Sequence, residues 1–450
     1  MSSDKPKASP QTPVQTPKGT RDFYPADMRL QNHLFDGWRA TCRAFGYEEY
    51  EGPTFEHLEL YVGKSGEEIV GQLYHFMDKG GRELALRPEL TPTFARMVNQ
   101  KGSSLRKPLK WFSIPRLFRY ERAQRGRLRE FFQLNMDIVG CDTVAAEVDL
   151  ISAVIEMLKG FGLTSNDFAV RISSRRVLSE MLGLLSVPDE KKPTVYAVLD
   201  KRAKIGPIEF NKLLLSEGLN PNQIAEIEAY FGCKTLPDLL ELSHRWLELD
   251  VNPSVIMDAT MKSKIGLFDL SHLVESLDSL GYKDFYELDM SIVRGLAYYT
   301  GIVFEVFDKG SNMRAIAGGG RYDNLLSKLG GESLSAVGFG MGDVVLADLL
   351  NEKGLLPQGR PGVDYYLADL AAQGGLPRLK MLGLAKRLRA RGLSVSYSLK
   401  AGKFKKQMEE ANDIGAKAVL FFGSDRAPEG KYEVKNLASG EQTILGEEDL

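Results

Sequence analysis

The sequence predicts an α+β protein: a mixed antiparallel sheet with helices over residues 18–355, a helical insertion at 165–285, and a small α/β domain over 356–450. Three observations carry this. Residues 109–139 alternate apolar and polar side chains with period two, as half-buried strands do. From 165 to 285 helical spacing takes over and obvious site chemistry disappears. Beyond the linker-like GLLPQGRPG at 354–362, the strand-like VDYYLADL, SVSYSL and AKAVLFFG alternate with helical stretches, the order of an α/β unit.

The elements follow from local chemistry. Residues 1–17 are rich in Pro, Ser, Thr and Gln and have no apolar stretch, which predicts a disordered tail. Pro25 opens a helix in which Leu30, Leu34, Phe35, Trp38, Cys42 and Phe45 recur at helical spacing. A short strand ends at Gly52-Pro53. Residues 84–100 read as a strand, a break at Pro88, and a helix with Thr91 as N-cap and Pro92 at its first position. Two strands within 109–139 are joined by the loop RAQRGRL. Strand character returns at 291–307 and before AGGGRYD, where Gly318, Gly319 and Gly320 by themselves indicate a tight turn.

Length and composition bound the function. The 450 residues allow about three domains at ~150 residues each. A net charge of -2 excludes a globally basic nucleic-acid coat, so any polyanion must meet local basic patches. Cys42, Cys141 and Cys233 show neither a disulfide framework nor zinc-ligand spacing, which points to a reducing cytosol. No apolar run approaches the ~20 residues of a membrane helix, and the Arg-free tail is unlike a mitochondrial transit peptide.

The hairpin carries the chemistry. Its return strand places Phe132, Leu134, Met136 and Ile138 on one face, and Arg129, Phe131, Gln133, Asn135 and Asp137 on the other. Arg119 and Glu121 share a face of the incoming strand, and the loop adds Arg122, Arg125 and Arg127. Guanidinium forks match phosphate oxygens, so this face suits a nucleotide polyphosphate. An exposed charged hairpin would show the same pattern.

FRYERAQRGRLREFFQLNMDIVG (118–140) resembles motif 2 of class II aminoacyl-tRNA synthetases in its histidyl form. LRPELT (86–91) is similar to that family's amino-acid-binding segment, and KGTRDFYP (18–25) to its opening sequence. VRGLAYYTG (293–301) and AGGGRYD (317–323) resemble the two signature blocks of histidyl-tRNA synthetases. The blocks run in the family's order from residue 18 to about 350, and the C-terminal stretch resembles the family's anticodon-binding domain.

The resemblance implies adenylation of histidine by ATP, with magnesium arriving as part of the ATP complex, and transfer to the 3′ end of histidine tRNA. Repulsion between a carboxylate and a phosphate is on the order of 4 kcal/mol per charge pair at ~4 Å and an effective dielectric near 20. Cations fixed at the reacting phosphorus offset it. The resemblance assigns these to Arg119 and Arg294, the latter where other class II enzymes use a metal ion. It implies that Glu121 reads the adenine amino group, Phe131 stacks on the ring, and Arg127 reaches the outer phosphates. Histidine selection needs partners for one imidazole donor and one acceptor. The resemblance gives this to Asp137 and Tyr299, lines the pocket with Tyr298 and Tyr322, and holds the α-amino end with Glu89, Thr91 and Gln133.

Two positions depart from the family pattern. Ala297 stands where many members carry Asp. VGFGMGDVVL (337–346) aligns with motif 3, but Val345 stands where the third arginine is usual.

On the tRNA side, no acidic residue occurs from Ala371 to Met408, where ten Lys and Arg residues form a one-sign run. Arg387, Arg391 and Lys403 there, with Arg125 of the hairpin loop, are the expected tRNA contacts. Residues 26–53 resemble motif 1, which implies a homodimer, and the expected location is the cytoplasm. The rivals are the synthetase-like, histidine-binding regulatory subunit of ATP phosphoribosyltransferase and a prolyl or threonyl synthetase. VRGLAYYTG and AGGGRYD weigh against the latter pair.

Overall fold

The strand predicted by period-two alternation runs from Glu130 to Val139 and is the spine of the first unit. In the computed structural model the described residues are 15–65, 71–122, 124, 126–202, 205–248, 266–292, 299–310, 314–357, 362–370, 376–399 and 403–450. Most of the expected tail, with Arg125, Arg294, Ala297 and Tyr298, lies outside them. The chain divides into compact units Met1–Leu356 and Pro357–Leu450, the boundary falling within GLLPQGRPG.

The strands of the first unit are β1 (Glu48–Glu49), β2 (Phe55–His57), β3 (His75–Met77), β4 (Glu83–Leu86), β5 (Leu109–Ser113), β6 (Arg116–Phe118), β7 (Glu130–Val139), β8 (Phe168–Ser174), β9 (Tyr286–Leu288), β10 (Ile302–Asp308), β11 (Ala317–Arg321) and β12 (Ala336–Gly342). The main sheet runs β1-β5-β7-β12-β11-β10-β8-β9, with β6 on the first half of β7. Its outer pairs β1·β5 and β8·β9 are parallel and the rest antiparallel. A separate β2-β4-β3 sheet precedes LRPELT.

One face of β7 is core, as expected: Leu134, Met136 and Ile138 are buried with Trp38, Phe112 and the Ala145–Gly160 helix. Phe132 is only half-buried, edge-on to Phe23 and Phe35. The polar face is also removed from water, with Asn135 5% and Asp137 4% exposed. The N-terminal helix spans Pro25–Ala44 and buries Leu34, Trp38 and Cys42.

Three expectations are corrected. The stretch 165–285 opens on β8, which pairs with β10 along seven residues, so helical character begins only at Arg175. Strand β8 is buried on both faces, and such strands lack the alternation that marks half-exposed ones. The helices that follow are no separate body among the described residues: Leu178, Phe210, Tyr230 and Leu270 share the core of Trp38 and Phe112. The glycine run is a strand, not a turn. β11 is hydrogen-bonded to β10 on one side and β12 on the other. A Cβ on Gly319 would stand 2.3 Å from Gly338 O and 2.4 Å from Phe339 Cβ, so closeness of neighbouring chains requires the glycine. The third shift is small. The Thr91–Lys101 helix begins at Thr91, and Leu90 takes the capping position.

The second unit contains β13 (Tyr365–Asp369), β14 (Val395–Tyr397), β15 (Ala418–Phe422), β16 (Lys431–Asn436) and β17 (Gln442–Gly446), in the order β14-β13-β15-β16-β17. Strands β13, β14 and β15 are parallel, as the helix–strand alternation requires, and β16 and β17 extend the sheet antiparallel. The Leu376–Ala390 helix packs Met381, Leu384 and Leu388 against Leu367 and Leu420. The Phe404–Asp413 helix packs Met408 and Ala411 against Tyr366, Ala368 and Val419. Alternate residues of β13 thus face different helices, which places the two helices on opposite sides of the sheet.

The end of β11 is tied to the Ala145–Gly160 helix by a buried ion pair. Arg321 Nε donates to Glu147 Oε1 at 2.6 Å, and its Nη atoms donate to the carbonyls of Cys141 and Thr143 at 3.0 Å. Glu147 is 1% exposed. Removing one partner strands a charge in the core, at a cost of about 3–5 kcal/mol. Arg321→Met is expected to lower the urea midpoint accordingly, and the Arg321→Met/Glu147→Gln double variant to lose much less than the sum of the two single losses.

Candidate active site

Hydrogen bonding in the sheet brings the polar face of β7 opposite a strip of glycines. Gly338 pairs with Asp137 and Gly340 with Asn135 in the β7·β12 register, and Gly318 and Gly320 continue the strip on β11. A Cβ on Gly338 would lie 2.0 Å from Asp137 Oδ1, and one on Gly340 1.8 Å from Gln133 Nε2. The glycines therefore supply the room that the polar side chains occupy. A Cβ on Gly320 would crowd Tyr299 Cδ1 at 3.1 Å.

Above this strip lies a cavity of about 110 Å³. Seven residues assigned from the sequence line it: Glu89, Thr91, Arg119, Gln133, Asp137, Tyr299 and Tyr322. They come from four separate blocks of the chain. Asn135, Phe339 and three of the glycines complete the described lining. These were not singled out as site residues from the sequence, although the period-two glycines of VGFGMG carry the signal. Glu305 on β10 shares the face of Gly318, its Cγ 3.6 Å from a Cβ placed there.

Asp137 and Tyr322 are in direct contact, the tyrosine hydroxyl donating to Asp137 Oδ1. Tyr50 is a further neighbour. Burial, and then the negative charge of Asp137, push its phenol well above the usual range. The carboxylate is thereby held at a fixed place in the cavity wall.

Arg119 lies just past β6, anchored by backbone donation to Arg129 O and by Nε donation to Pro88 O, both at 2.9 Å. The second bond ties the hairpin to LRPELT. Its guanidinium stands 5.2 Å from the centroid of Phe131, a cation–π distance. Glu121 and Arg127 are in contact as an ion pair. Burial, followed by the like charges of Arg314 and Arg119, lowers the pKa of Arg127.

The opening block is stitched to the hairpin, Gly19 O accepting from the N–H of Arg129 at 2.9 Å. Arg21 pairs with the buried Asp343 at 2.7 Å, and Asp343 also accepts the Phe132 N–H at 3.0 Å. Val345 is buried in the first turn of the Asp343–Glu352 helix. A larger cavity of about 290 Å³ adjoins Arg321, Asp323, Arg176 and Asp269. Arg176 there is paired with Asp269, and Arg321 with Asp323 and Glu147.

In the C-terminal unit the basic run is not one patch. The Leu376–Ala390 helix starts at the carboxyl edge of the parallel strands and ends at the opposite edge, so Arg378 and Lys380 stand apart from Lys386, Arg387 and Arg391. Arg387 pairs with Glu447 at 2.8 Å, and Arg391 donates to the carbonyls of Glu447 at 2.6 Å and Leu450 at 2.7 Å. Both hold down the C-terminus. Lys403, Lys405 and Lys406 are exposed at the start of the Phe404–Asp413 helix, at the carboxyl edge. A linear run cannot show this division, because one helix carries its two ends to opposite edges of the sheet.

An antiparallel sheet that carries an arginine hairpin beside a small polar cavity, with a separate α/β unit, is the architecture of a class II aminoacyl-tRNA synthetase. Residues 19–343 match the family model described as histidyl-tRNA synthetase, and residues 378–450 match that of the anticodon binding domain. The chain is 41% identical to the chloroplastic/mitochondrial histidine–tRNA ligase of Arabidopsis thaliana, across 97% of this chain and 86% of the relative. It is 40% identical to the histidine–tRNA ligase of Opitutus terrae across 97% of both. Among solved structures it is similar to histidyl-tRNA synthetase from Nostoc, with a TM-score of 0.80, 24% identity and 97% of each chain covered. It is also similar to a Bacillus halodurans protein described as an ATP phosphoribosyltransferase regulatory subunit/histidyl-tRNA synthetase, with a TM-score of 0.73, 24% identity, and 91% of this chain and 98% of that one covered. The chain belongs to the histidyl-tRNA synthetase family.

The glycine strip yields a direct test. Gly338→Ala places a methyl group against Asp137, and the expected result is a rise of about tenfold or more in the KM for histidine, the scale of losing one charged hydrogen bond. Near-normal KM for ATP would accompany it. An unchanged histidine KM in pyrophosphate exchange would contradict this role of the glycine.

Proposed function

We propose that this chain is a histidine–tRNA ligase that forms histidyl-adenylate in the 110 Å³ cavity and transfers the histidyl group to the 3′ end of histidine tRNA. The observation that carries the reading is the meeting of Arg119 with Asp137, Tyr299 and Tyr322 around one small space. An imidazole offers one donor and one acceptor. Asp137, fixed by Tyr322, accepts the donor, and the Tyr299 hydroxyl supplies the acceptor's partner. Glu89, Thr91 and Gln133 take the α-ammonium end. That orientation directs the carboxylate toward Arg119.

ATP enters with its α-phosphate at Arg119 and its magnesium as part of the substrate complex. A histidine carboxylate oxygen attacks the α-phosphorus, the bond to the bridging oxygen breaks, and pyrophosphate leaves. Arg119 and Arg294 offset the charge on the phosphoryl oxygens, Phe131 and Glu121 hold the adenine, and Arg127 takes the outer phosphates. In the second step a ribose hydroxyl of the tRNA terminus attacks the acyl carbon and AMP leaves. The C-terminal unit holds the tRNA with Lys403 at its exposed carboxyl edge, and Arg125 of the hairpin loop is a further tRNA contact; Arg387 and Arg391 reach the backbone only by giving up their intramolecular partners. The active form is a cytoplasmic homodimer. No helix of the described residues is long and apolar enough to cross a membrane.

A histidine-binding regulator without ligase activity is the second reading, and Val345, in place of the expected arginine, is what favours it. Purified protein with ATP, histidine and bulk tRNA separates the two, since only the ligase charges tRNA. Pyrophosphate exchange is expected to depend on histidine, and exchange driven equally by proline or threonine would refute the assignment. Arg119→Ala and Arg294→Ala should each lower kcat by about 10²–10³, the loss typical of one preorganised charge-stabilising group. Unaltered circular dichroism would assign that loss to chemistry.

A further inference from the structure

The first turn of the Asp343–Glu352 helix presents valine at position 345, yet the adjoining space holds a cation from elsewhere in the chain. A Cβ on Gly126 would stand 3.4 Å from Val345 Cγ2 and 3.9 Å from Arg314 Cδ. Gly126, at φ +69, is the turn of the hairpin loop, closed by backbone bonds between Gln124 and Arg127 at 2.9 and 3.0 Å. Arg314 therefore passes the tip of the loop that carries Arg127, beside Val345.

The backbone explains why it arrives there. Ile316 N–H donates to Val306 O at 2.7 Å, and Ala317 pairs with Met341. Arg314 precedes β11 at the end where β12 runs into the Asp343–Glu352 helix. It is exposed, and among the described residues it has no ion-pair partner. After burial, its charge is the next cause that lowers the pKa of Arg127, followed by that of Arg119. Three guanidinium groups near one loop, with Glu121 paired to Arg127, leave a net positive charge that a multivalent anion would offset. Arg119 lines the cavity, and Arg127 and Arg314 extend outward from it along the loop.

We propose that Arg314 binds the outer phosphates of ATP, completing from just before β11 the cation set that Val345 leaves short. The proposal rests on reading the cavity as the adenylation site. A nucleoside monophosphate reaches Arg119 alone, whereas a triphosphate extends to Arg127 and Arg314. Arg314 accordingly discriminates between nucleotides by their phosphate number.

The test is equilibrium titration of the full-length protein with ATP–magnesium and, separately, with AMP, for wild type, Arg314→Ala and Arg314→Lys. Arg314→Ala is expected to weaken ATP binding by about tenfold or more, the scale of a lost charge-assisted contact, and to leave AMP binding within about twofold. Arg314→Lys, which keeps the charge but loses the fork, should fall between. In exchange kinetics the same loss should appear in the KM for ATP and not in that for histidine. Equal weakening of ATP and AMP, unchanged ATP binding, or an effect confined to the KM for tRNA would each overturn the proposal. Because binding is measured without turnover, wild-type protein that fails to exchange with histidine would sink the ligase reading while leaving the Arg314 result interpretable.

Discussion

The site depends on a steric permission: no side chain stands at 338 or 340, where β12 runs beside β7. Asp137 and Gln133 project from the face on which those positions lie, at separations that no Cβ tolerates. A sheet face paved with ordinary side chains would have to turn these groups aside or fill the cavity. The glycines forgo packing, and backbone entropy also disfavours them in a strand. The offset comes from the opposite face, where Leu134, Met136 and Ile138 pack into the largest core. One strand thus serves as core on one side and as binding wall on the other.

Electrostatics builds on that permission. Asp137 is held by Tyr322 within the wall, and Arg119 is held by Pro88 O and Phe131 at the rim. A carboxylate that can accept a donor and a guanidinium that attracts an anion, fixed at separate points of one cavity, favour one orientation of a ligand that carries both, because reversal would bring like charges together. The cations at the hairpin loop then favour a polyphosphate beyond the rim. Fixing such groups before substrate arrives avoids reorganisation during the reaction. The opening block contributes by stitching itself to the hairpin through Gly19 and to Asp343 through Arg21.

Much of this was legible in the chain because its signals are local. Pro25 and the spacing of Leu34, Trp38 and Cys42 define the first helix, and alternation along 130–139 separates core from polar face. Resemblance to family blocks then brought Glu89, Arg119, Asp137, Tyr299 and Tyr322 to one site, and the cavity lining includes all five. Strand β8 escaped because burial on both faces erases alternation. The glycine strand escaped because a run of glycines reads as flexibility until its neighbours are known.

Periodicity by itself determined the first helix, the polar face of β7 and the α/β character of the C-terminal unit, since each depends on residues near in sequence, and the resemblance of the blocks supplied the antiparallel-sheet class. Only the tertiary structure decided which positions must lack a side chain, which basic residues hold the C-terminus, and that Arg314 stands beside Val345. Those outcomes depend on contacts between segments far apart along the chain, and close packing sets them only when the strands pair.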